Sequence, residues 1–405
     1  MNKIIKIAVL YPTDPVGNVI GGIESFIRGL IKAAPEHIEY NIFGATTDSV
    51  NRPVGKWTRC QLGNKIYNYF PLCVLGDTKK RTRIPATFTH IFNAEFKLPD
   101  LTGFDIIESH RIEHFISARS SDKPWNLFLH NTMDIVRNKS SDIRWKWMPG
   151  FYFWLEKKIV NKTNSLFIVR EEGAELYRKK YPLKKESIAF VATNVDADLF
   201  FPIEPDIKIT NRESLLGPYG VAKNEIVISF VGRLDSSKDP MLLISSFKEL
   251  LMQRNNIKLV LIGDGVLMPK LKSIVDESGL GEKVVFLGFK SAAEVASILQ
   301  VSDIFTLTSA YEGMPIALTE AMSCGLPVVT TDVGEVHKLV KPGFNGEICE
   351  TRSPVDFAKY LNIVCEKIAL YSGAPCIESA RPFTPELVFK KVYNKYEQLA
   401  RNNFL

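Results

Sequence analysis

Tyr311-Glu312-Gly313-Met314-Pro315-Ile316-Ala317-Leu318-Thr319-Glu320-Ala321-Met322-Ser323-Cys324-Gly325-Leu326-Pro327-Val328-Val329 sets two glutamates eight positions apart between two apolar runs. The run before it, Ile304 to Thr308, reads as a buried strand, so Glu312 falls in the loop that follows. Pro315 suits the first position of a helix, where its missing N–H would be unbonded anyway and its φ is already helical. Gly325 closes that helix and Pro327 forbids its continuation. At ~1.5 Å per residue Glu320 then lies roughly 8 Å along the axis from the helix start. One carboxylate stands at the mouth of a strand–helix turn and the other one to two turns behind it. The N–H groups of the helix start lie between them and invite an anion.

Outward from this stretch, short apolar runs alternate with helical patterns. Strand candidates in the first half are Ile4–Leu10, Glu39–Phe43, Asp105–Glu108, Trp125–His130, Ser165–Val169 and Ser187–Val191. In the second half they are Glu225–Val231, Ile257–Ile262, Val284–Phe286, Ile304–Thr308 and Val328–Thr330. Near-continuous apolar strands with helices between them predict an α/β fold of parallel sheets covered on both faces. A chain of 405 residues exceeds what one core usually supports, so two domains are expected. The first is expected over 1–203, and a linker over 204–223, where no pattern is clear. The second is expected over 224–384, followed by a helix over 385–405. Ligands of open parallel sheets bind beyond the carboxyl ends of the strands, and two such sheets face to face make a cleft. Function is therefore sought in residues just after strands.

After Glu225–Val231 comes Gly232-Arg233-Leu234-Asp235-Ser236-Ser237-Lys238. Gly232 allows close backbone approach, and Arg233 and Lys238 can converge on one anion, a planar fork and a mobile point charge suited to a diphosphate. Two basic residues in a loop are more often simply solvated; it is their position about 75 residues ahead of the glutamate pair and after a strand that gives them weight. Gly263-Asp264-Gly265 ends the next strand, a weak signal by itself. Gly288-Phe289 ends the one after. In the first half, Gly21-Gly22 links the first strand to the first helix, and His130 stands at the carboxyl end of Trp125–His130.

The whole set resembles the retaining glycosyltransferases of the GT-B fold, family 4. Glu312 and Glu320 match that family's E-x7-E element, and Gly232, Arg233 and Lys238 match its G-R-x4-K element. The resemblance covers nearly the whole chain and is strongest from Phe230 to Gly346. It implies two Rossmann-like domains facing across a cleft, with the last helix crossing back to the first domain. It implies that Arg233, Lys238 and the helix start at Ile316–Ala317 hold the diphosphate of a nucleotide sugar, with Gly313, Met314 and Pro315 in the same turn. Glu320 would take the ribose hydroxyls and Glu312 the hydroxyls of the donor sugar. His130 and Gly22 would complete the sugar pocket, Gly263 would allow close packing beside the nucleotide, and Phe289 would stand where backbone groups meet the base. His110 matches a further family position, as an acceptor-orienting or loop-supporting residue. Val191–Pro202 resembles the segment that ends the family's first domain, with Asn194 in place of its glycine. Asparagine tolerates the left-handed conformation such a turn uses.

The implied activity is transfer of a sugar from a UDP- or GDP-sugar to a glycan or lipid-linked acceptor with retention, in polysaccharide or lipopolysaccharide assembly. No cofactor and no metal are expected: Asp196-Ala197-Asp198 spells a D-x-D but has no third carboxylate grouped with it. A glycosidase using the two glutamates, a nucleotide-sugar epimerase of GT-B architecture and a non-catalytic nucleotide-sugar-binding protein stand as alternatives. The first has no use for Arg233 and Lys238, and the second group is not marked by E-x7-E.

Charge is unevenly spread. Residues 1–200 hold 29 Lys+Arg against 21 Asp+Glu, and residues 201–405 hold 22 against 24. The basic half, with Lys79-Lys80-Arg81-Thr82-Arg83, is expected to meet an anionic membrane surface or a phosphate-bearing acceptor rather than nucleic acid, with a plain solvated surface as the alternative. The aromatic stretch Trp145 to Trp154 is expected to be a core-packed helix, with an interfacial anchor as the second reading. No apolar run approaches the ~20 residues of a membrane helix. The six cysteines form no C-x-x-C pair, and a reduced cytoplasmic setting, peripheral at the inner face of the membrane, is the expectation.

Overall fold

The computed structural model describes residues 3–17, 22–75, 86–114, 121–130 and 149–402. The basic cluster Lys79–Arg83, Gly21, Trp145 and Trp147 lie outside them. The chain forms two compact units, Met1–Thr193 with Pro385–Leu405, and Asn194–Thr384.

The first unit is built on an eight-stranded sheet in the order β3-β4-β2-β1-β5-β6-β7-β8. Its strands are β1 (Ile5–Leu10), β2 (Ile38–Thr46), β3 (Thr58–Leu62), β4 (Lys65–Val74), β5 (Ile106–Ser109), β6 (Trp125–Leu129), β7 (Ser165–Ile168) and β8 (Ile188–Phe190). All pairings are parallel except β3 with β4, an edge hairpin that turns at Gly63 with φ +60°. This hairpin departs from the expectation of a purely parallel sheet. Most of β3 is exposed or half-exposed, and although Tyr69 to Cys73 of β4 are buried, Asn68 and Pro71 interrupt its apolar run.

One sheet face packs against α1 (Gly22–Lys32) and the C-terminal helix Pro385–Asn402. That helix buries Val388, Phe389, Val392, Tyr393, Tyr396, Leu399 and Ala400, the i, i+3, i+4 stripe of an amphipathic helix. The opposite face packs against α2 (Ala86–Lys97), α3 (Pro149–Lys162) and α4 (Glu171–Lys180). On α3, Tyr152, Ile159 and Val160 are buried, as expected of a core-packed helix, but Trp154 is 53% exposed with the Lys158 ammonium 4.1 Å above its ring.

The second unit carries a six-stranded parallel sheet, β11-β10-β9-β12-β13-β14. Its strands are β9 (Ile226–Val231), β10 (Ile257–Ile262), β11 (Val284–Gly288), β12 (Ile304–Leu307), β13 (Val328–Thr331) and β14 (Gly346–Cys349). Its helices include α5 (Pro205–Leu216), α6 (Pro240–Leu251), α7 (Met268–Glu277), α8 (Ala292–Val301), α9 (Ile316–Ser323) and α10 (Pro354–Glu366). Helix α5 corrects the linker expected over 204–223. Pro205 starts it, Leu216 is buried, and the Arg212 guanidinium donates to the Val301 and Glu225 carbonyls and pairs with Asp303. These long-range anchors hold helical a segment whose own pattern is weak. The unit begins at Asn194 rather than after residue 203. Asp239 is the only non-glycine at positive φ among the described residues, so Asn194 is not left-handed and does not replace glycine in that way.

Candidate active site

The site of the second unit assembles at the carboxyl ends of β9, β10 and β12. The loop after β9 is laid against the end of β10 by three backbone bonds: Gly232 N–H to Ile262 O (3.0 Å), Leu234 N–H to Asp264 O (3.0 Å) and Leu267 N–H to Leu234 O (2.9 Å). Approach this close requires the two glycines of β10's turn. A Cβ at Gly263 would stand 1.9 Å from the Gly232 carbonyl oxygen, and one at Gly265 would stand 2.4 Å from that of Leu234. The Gly-x-Gly thus shapes the basic loop. Phe289, 58% exposed, follows Gly288, whose carbonyl accepts from Gly263 N–H (2.8 Å).

The same loop continues through Asp235, whose Oδ1 accepts from the backbone N–H and hydroxyl of Ser237. Asp239, at φ +42°, caps α6 by accepting from Leu242 N–H (3.1 Å), and Pro240 takes the first helical position. Lys238 is thereby aimed at the β12 loop, where its ammonium pairs with Glu312 Oε1. That oxygen also accepts from the Ser309 hydroxyl (2.7 Å). Arg233 is 69% exposed and has Asp235 Oδ2 3.3 Å from its Nη1.

Two further groups lock the loops together. Ala310 N–H donates to Ser237 O (2.8 Å), and the Thr308 hydroxyl donates to the Lys238 and Asp239 carbonyls. Arg352 pairs with Asp239 and donates to the Ser309 (3.0 Å) and Thr308 (3.2 Å) carbonyls. Gly334, at φ +54°, backs the Glu312–Gly313 turn: Glu335 N–H donates to Gly313 O (2.9 Å), and a Cβ on Gly334 would fall 2.1 Å from that oxygen. Ser309, Arg352 and Gly334 were not singled out from the sequence. Arg352 is far along the chain and reaches the loops only because β14 and α10 carry it there, so no local signal marks it.

Helix α9 starts at Ile316, with Pro315 one position earlier, at its N-cap, than the sequence suggested. It ends at Ser323, and just beyond it Gly325, at φ +81°, turns the chain so that Leu326 N–H returns to Ala321 O (3.1 Å). Met314 and Pro315 are buried, and Ile316, Ala317 and Gly313 are half-buried. Glu320 is half-buried on this helix, and burial, with a smaller contribution from Asp196, pushes its carboxyl up to about 7. Among the described residues no three His, Cys, Asp or Glu side chains are grouped to hold a metal ion.

In the first unit, Gly22 opens α1 and is exposed. Four residues on, Phe26 sets its ring edge-on to His130 (centroids 5.1 Å apart, 89°). His130 Nε2 lies 3.0 Å from His110 Nδ1, and His110 Nε2 lies 2.8 Å from Glu108 Oε1. His110 thus meets His130 directly, which the sequence did not disclose. Burial, together with the charges of His110 and Arg111, holds His130 well below the ordinary histidine range, so its imidazole is neutral.

Residues 211–381 match the family model of glycosyl transferases group 1. The UDP-Gal:alpha-D-GlcNAc-diphosphoundecaprenol alpha-1,3-galactosyltransferase of Escherichia coli is 32% identical over 266 residues, which is 63% of this chain and 65% of that one. The chain spans 65%, 49% and 37% of three of the curated relatives that it matches. Among solved structures, sucrose-phosphate synthase from Thermosynechococcus elongatus superposes with a TM-score of 0.73 at 18% identity over 99% of both chains. An Anabaena protein in complex with UDP-glucose gives 0.69 at 17% identity, over 97% of this chain and 100% of that one. The architecture is the two-domain α/β fold termed GT-B. The region that matches the glycosyl transferases group 1 family lies within the second unit.

Proposed function

We propose that this protein is a retaining glycosyltransferase of family 4 that moves a sugar from a nucleotide diphosphate sugar to a glycan or lipid-linked acceptor. The carrying observation is the Lys238–Glu312 pair, which brings the basic element and the paired-glutamate element to one point at the sheet's carboxyl edge. Breaking a sugar–phosphate bond leaves negative charge on a nucleoside diphosphate and an oxocarbenium-like sugar. Arg233, Lys238 and the start of α9 supply fixed positive potential for that charge. Gly22 and His130 of the first unit are the groups assigned to the sugar. In a retaining reaction the acceptor attacks on the face the leaving group departs, and the leaving phosphate takes the acceptor's proton. The donor named for the Escherichia coli relative and the nucleotide sugar of the Anabaena complex support a UDP-sugar, and the relative's diphosphoundecaprenol substrate supports a lipid-linked acceptor in cell-surface polysaccharide or lipopolysaccharide assembly. Release of UDP from a UDP-sugar only when acceptor is present tests the reading. Release that is indifferent to acceptor overturns it.

Charge neutralisation by side chains predicts transfer without a divalent ion. Activity in excess EDTA should equal that in Mg²⁺, and loss in EDTA with recovery on adding Mg²⁺ or Mn²⁺ would contradict it.

The glutamates are assigned different tasks. Ribose hydroxyls donate more strongly to Glu320 in its ionised form, and its carboxyl ionises near 7 rather than at its ordinary 4.5. Between those values the folded chain holds a proton that the unfolded chain has lost, so this group's stabilisation declines as pH rises through that window. Nucleotide affinity should move the other way, rising with pH up to about 7 and then levelling. Glu320→Gln should lose this dependence, and comparing UDP titrations of both proteins cancels the phosphate's own ionisation. Glu312→Gln releases Lys238, so it should spare UDP binding and impair turnover of the full donor. Calorimetry alongside turnover separates the two.

The basic first half is assigned to an anionic bilayer at about 1 kcal/mol per basic residue, screened by salt. Flotation with anionic vesicles should weaken as salt rises and fall when Lys79, Lys80, Arg81 and Arg83 are neutralised together. Unchanged flotation would mark the cluster as a solvated face.

A further inference from the structure

The sheet of the first unit has its topological switch point at β1, which pairs with β2 on one side and with β5 on the other. In open parallel sheets ligands bind beyond the carboxyl ends of the strands at such a point. Tyr11, Glu24, Arg28 and Arg111 meet there. Tyr11 directly follows β1, Arg111 stands two residues after β5, and Glu24 and Arg28 lie one turn apart on one face of α1. The Tyr11 hydroxyl lies 3.5 Å from Glu24 Oε1, and the Arg111 guanidinium lies over the Tyr11 ring, 6.0 Å from its centroid. Arg28 Nη2 donates to the Gly17 carbonyl at 2.7 Å. Burial raises the Glu24 carboxyl above its ordinary range, against the opposing charges of Arg111 and Arg28, so both guanidiniums act on the same carboxyl.

Both arginines are half-buried, and Arg28 Nε and Arg111 Nε are buried without a hydrogen-bond partner. Neither guanidinium makes an ion pair among the described residues. Glu113 adds its field at Arg111 without pairing with it. Arg52 and Arg212, equally half-buried, show how this chain otherwise satisfies such a group: Asp14 stands 2.8 Å from the first and Asp303 2.6 Å from the second. A guanidinium stays charged throughout the pH range of proteins, and a charge withdrawn from water without a partner is costly. The cluster is therefore shaped for an anion that comes from outside the chain.

We propose that Arg111 and Arg28 bind the diphosphate group of the acceptor at the β1/β5 switch point of the first unit. Two planar forks suit two phosphoryl groups, each fork giving paired charge-assisted hydrogen bonds that Glu24 and Glu113 do not supply. The donor's diphosphate is already assigned to Arg233, Lys238 and the start of α9 in the second unit, so a phosphate-binding point in the first unit serves the other substrate. Arg28 is held in place by the Gly17 carbonyl, and Arg111 is backed by the Tyr11 ring. That the diphosphate belongs to the acceptor rests on the glycosyltransferase reading above, whereas the binding of a diphosphate at this point does not.

Inorganic pyrophosphate is titrated by calorimetry into protein saturated with UDP, which keeps the second unit's site occupied, and it should still bind. Arg111→Gln should weaken that binding about ten- to a hundredfold, as for loss of a charge-assisted hydrogen bond. Arg28→Gln should weaken it by a smaller factor, because Arg28 already uses one donor on the Gly17 carbonyl. Arg111→Lys, which keeps the charge without the fork, should recover part of the loss. Pyrophosphate that does not bind UDP-saturated wild type overturns the proposal and needs no variant to fold. Equal affinity in wild type and Arg111→Gln overturns it too. Turnover then shows whose diphosphate is held. With a UDP-sugar and a short-chain alkyl diphosphate sugar as acceptor, Arg111→Gln should raise the KM of the acceptor by the same factor and leave that of the UDP-sugar. A raised KM for the UDP-sugar instead gives the cluster to the donor and overturns the acceptor assignment. If no transfer occurs, the glycosyltransferase reading fails, and the pyrophosphate titration still decides whether Arg111 and Arg28 hold a diphosphate.

Discussion

Lys238→Ala is expected to lower turnover of a nucleotide sugar by ~10²–10³, the range for removing a group that stabilises developing charge. The same change should weaken UDP binding by about 1.5–3 kcal/mol, as for a charge-assisted contact. The structure says why Lys238 should outweigh Arg233. Lys238 is held by the Asp239-capped start of α6 and already points at Glu312, with 21% of its side chain exposed. Arg233 is 69% exposed and must be ordered on binding, which offsets part of its contact energy. Lys238→Ala also leaves Glu312 with only the Ser309 hydroxyl among the described residues, an unneutralised carboxylate beside the proposed diphosphate site. Pairing it with Glu312→Gln should therefore restore part of the UDP affinity without restoring turnover. Calorimetry with UDP and a coupled turnover assay read both quantities, and wild-type values in Lys238→Ala would mean that the diphosphate lies elsewhere.

Gly263→Ala should be the most damaging single methyl in the second unit. Its Cβ would lie 1.9 Å from a backbone oxygen, which cannot rotate away as a side chain can, and its φ of +137° is one that L residues rarely adopt. Overpacking at ~1–3 kcal/mol and backbone strain at ~1–3 kcal/mol add here. A unit of this size loses about 2–4 °C of Tm per kcal/mol, so a fall of roughly 10 °C is expected. Gly279→Ala is the control. It has φ +68° and open space around its Cβ, so it should show the strain without the clash and a much smaller fall. Nucleotide affinity should drop in Gly263→Ala even where the protein stays folded, because the displaced atoms belong to Gly232, the residue before Arg233. Equal Tm values for the two alanine variants would contradict this packing account.

The sequence by itself was enough for the alternation of apolar strands and helices, hence the parallel α/β class and two units, because a buried parallel strand must be apolar on both faces. It also carried Gly232, Arg233, Lys238, Glu312 and Glu320, whose spacing after strands needs no knowledge of packing. It could not carry the β3–β4 edge hairpin or α5, since a hairpin whose apolar run is broken by Asn68 and Pro71 and a helix anchored by Arg212 draw their stability from distant residues. Nor could it show that Gly263 is required by the Gly232 carbonyl, that Arg352 clamps the two loops, or that Glu320 ionises near 7. Each depends on which groups the sheet brings side by side. The row Tyr396–Glu108–His110–His130 joins residues up to 288 positions apart. Its hydrogen bonds exist only once the C-terminal helix is packed on β5 and water is excluded, and that is a property of the tertiary structure alone.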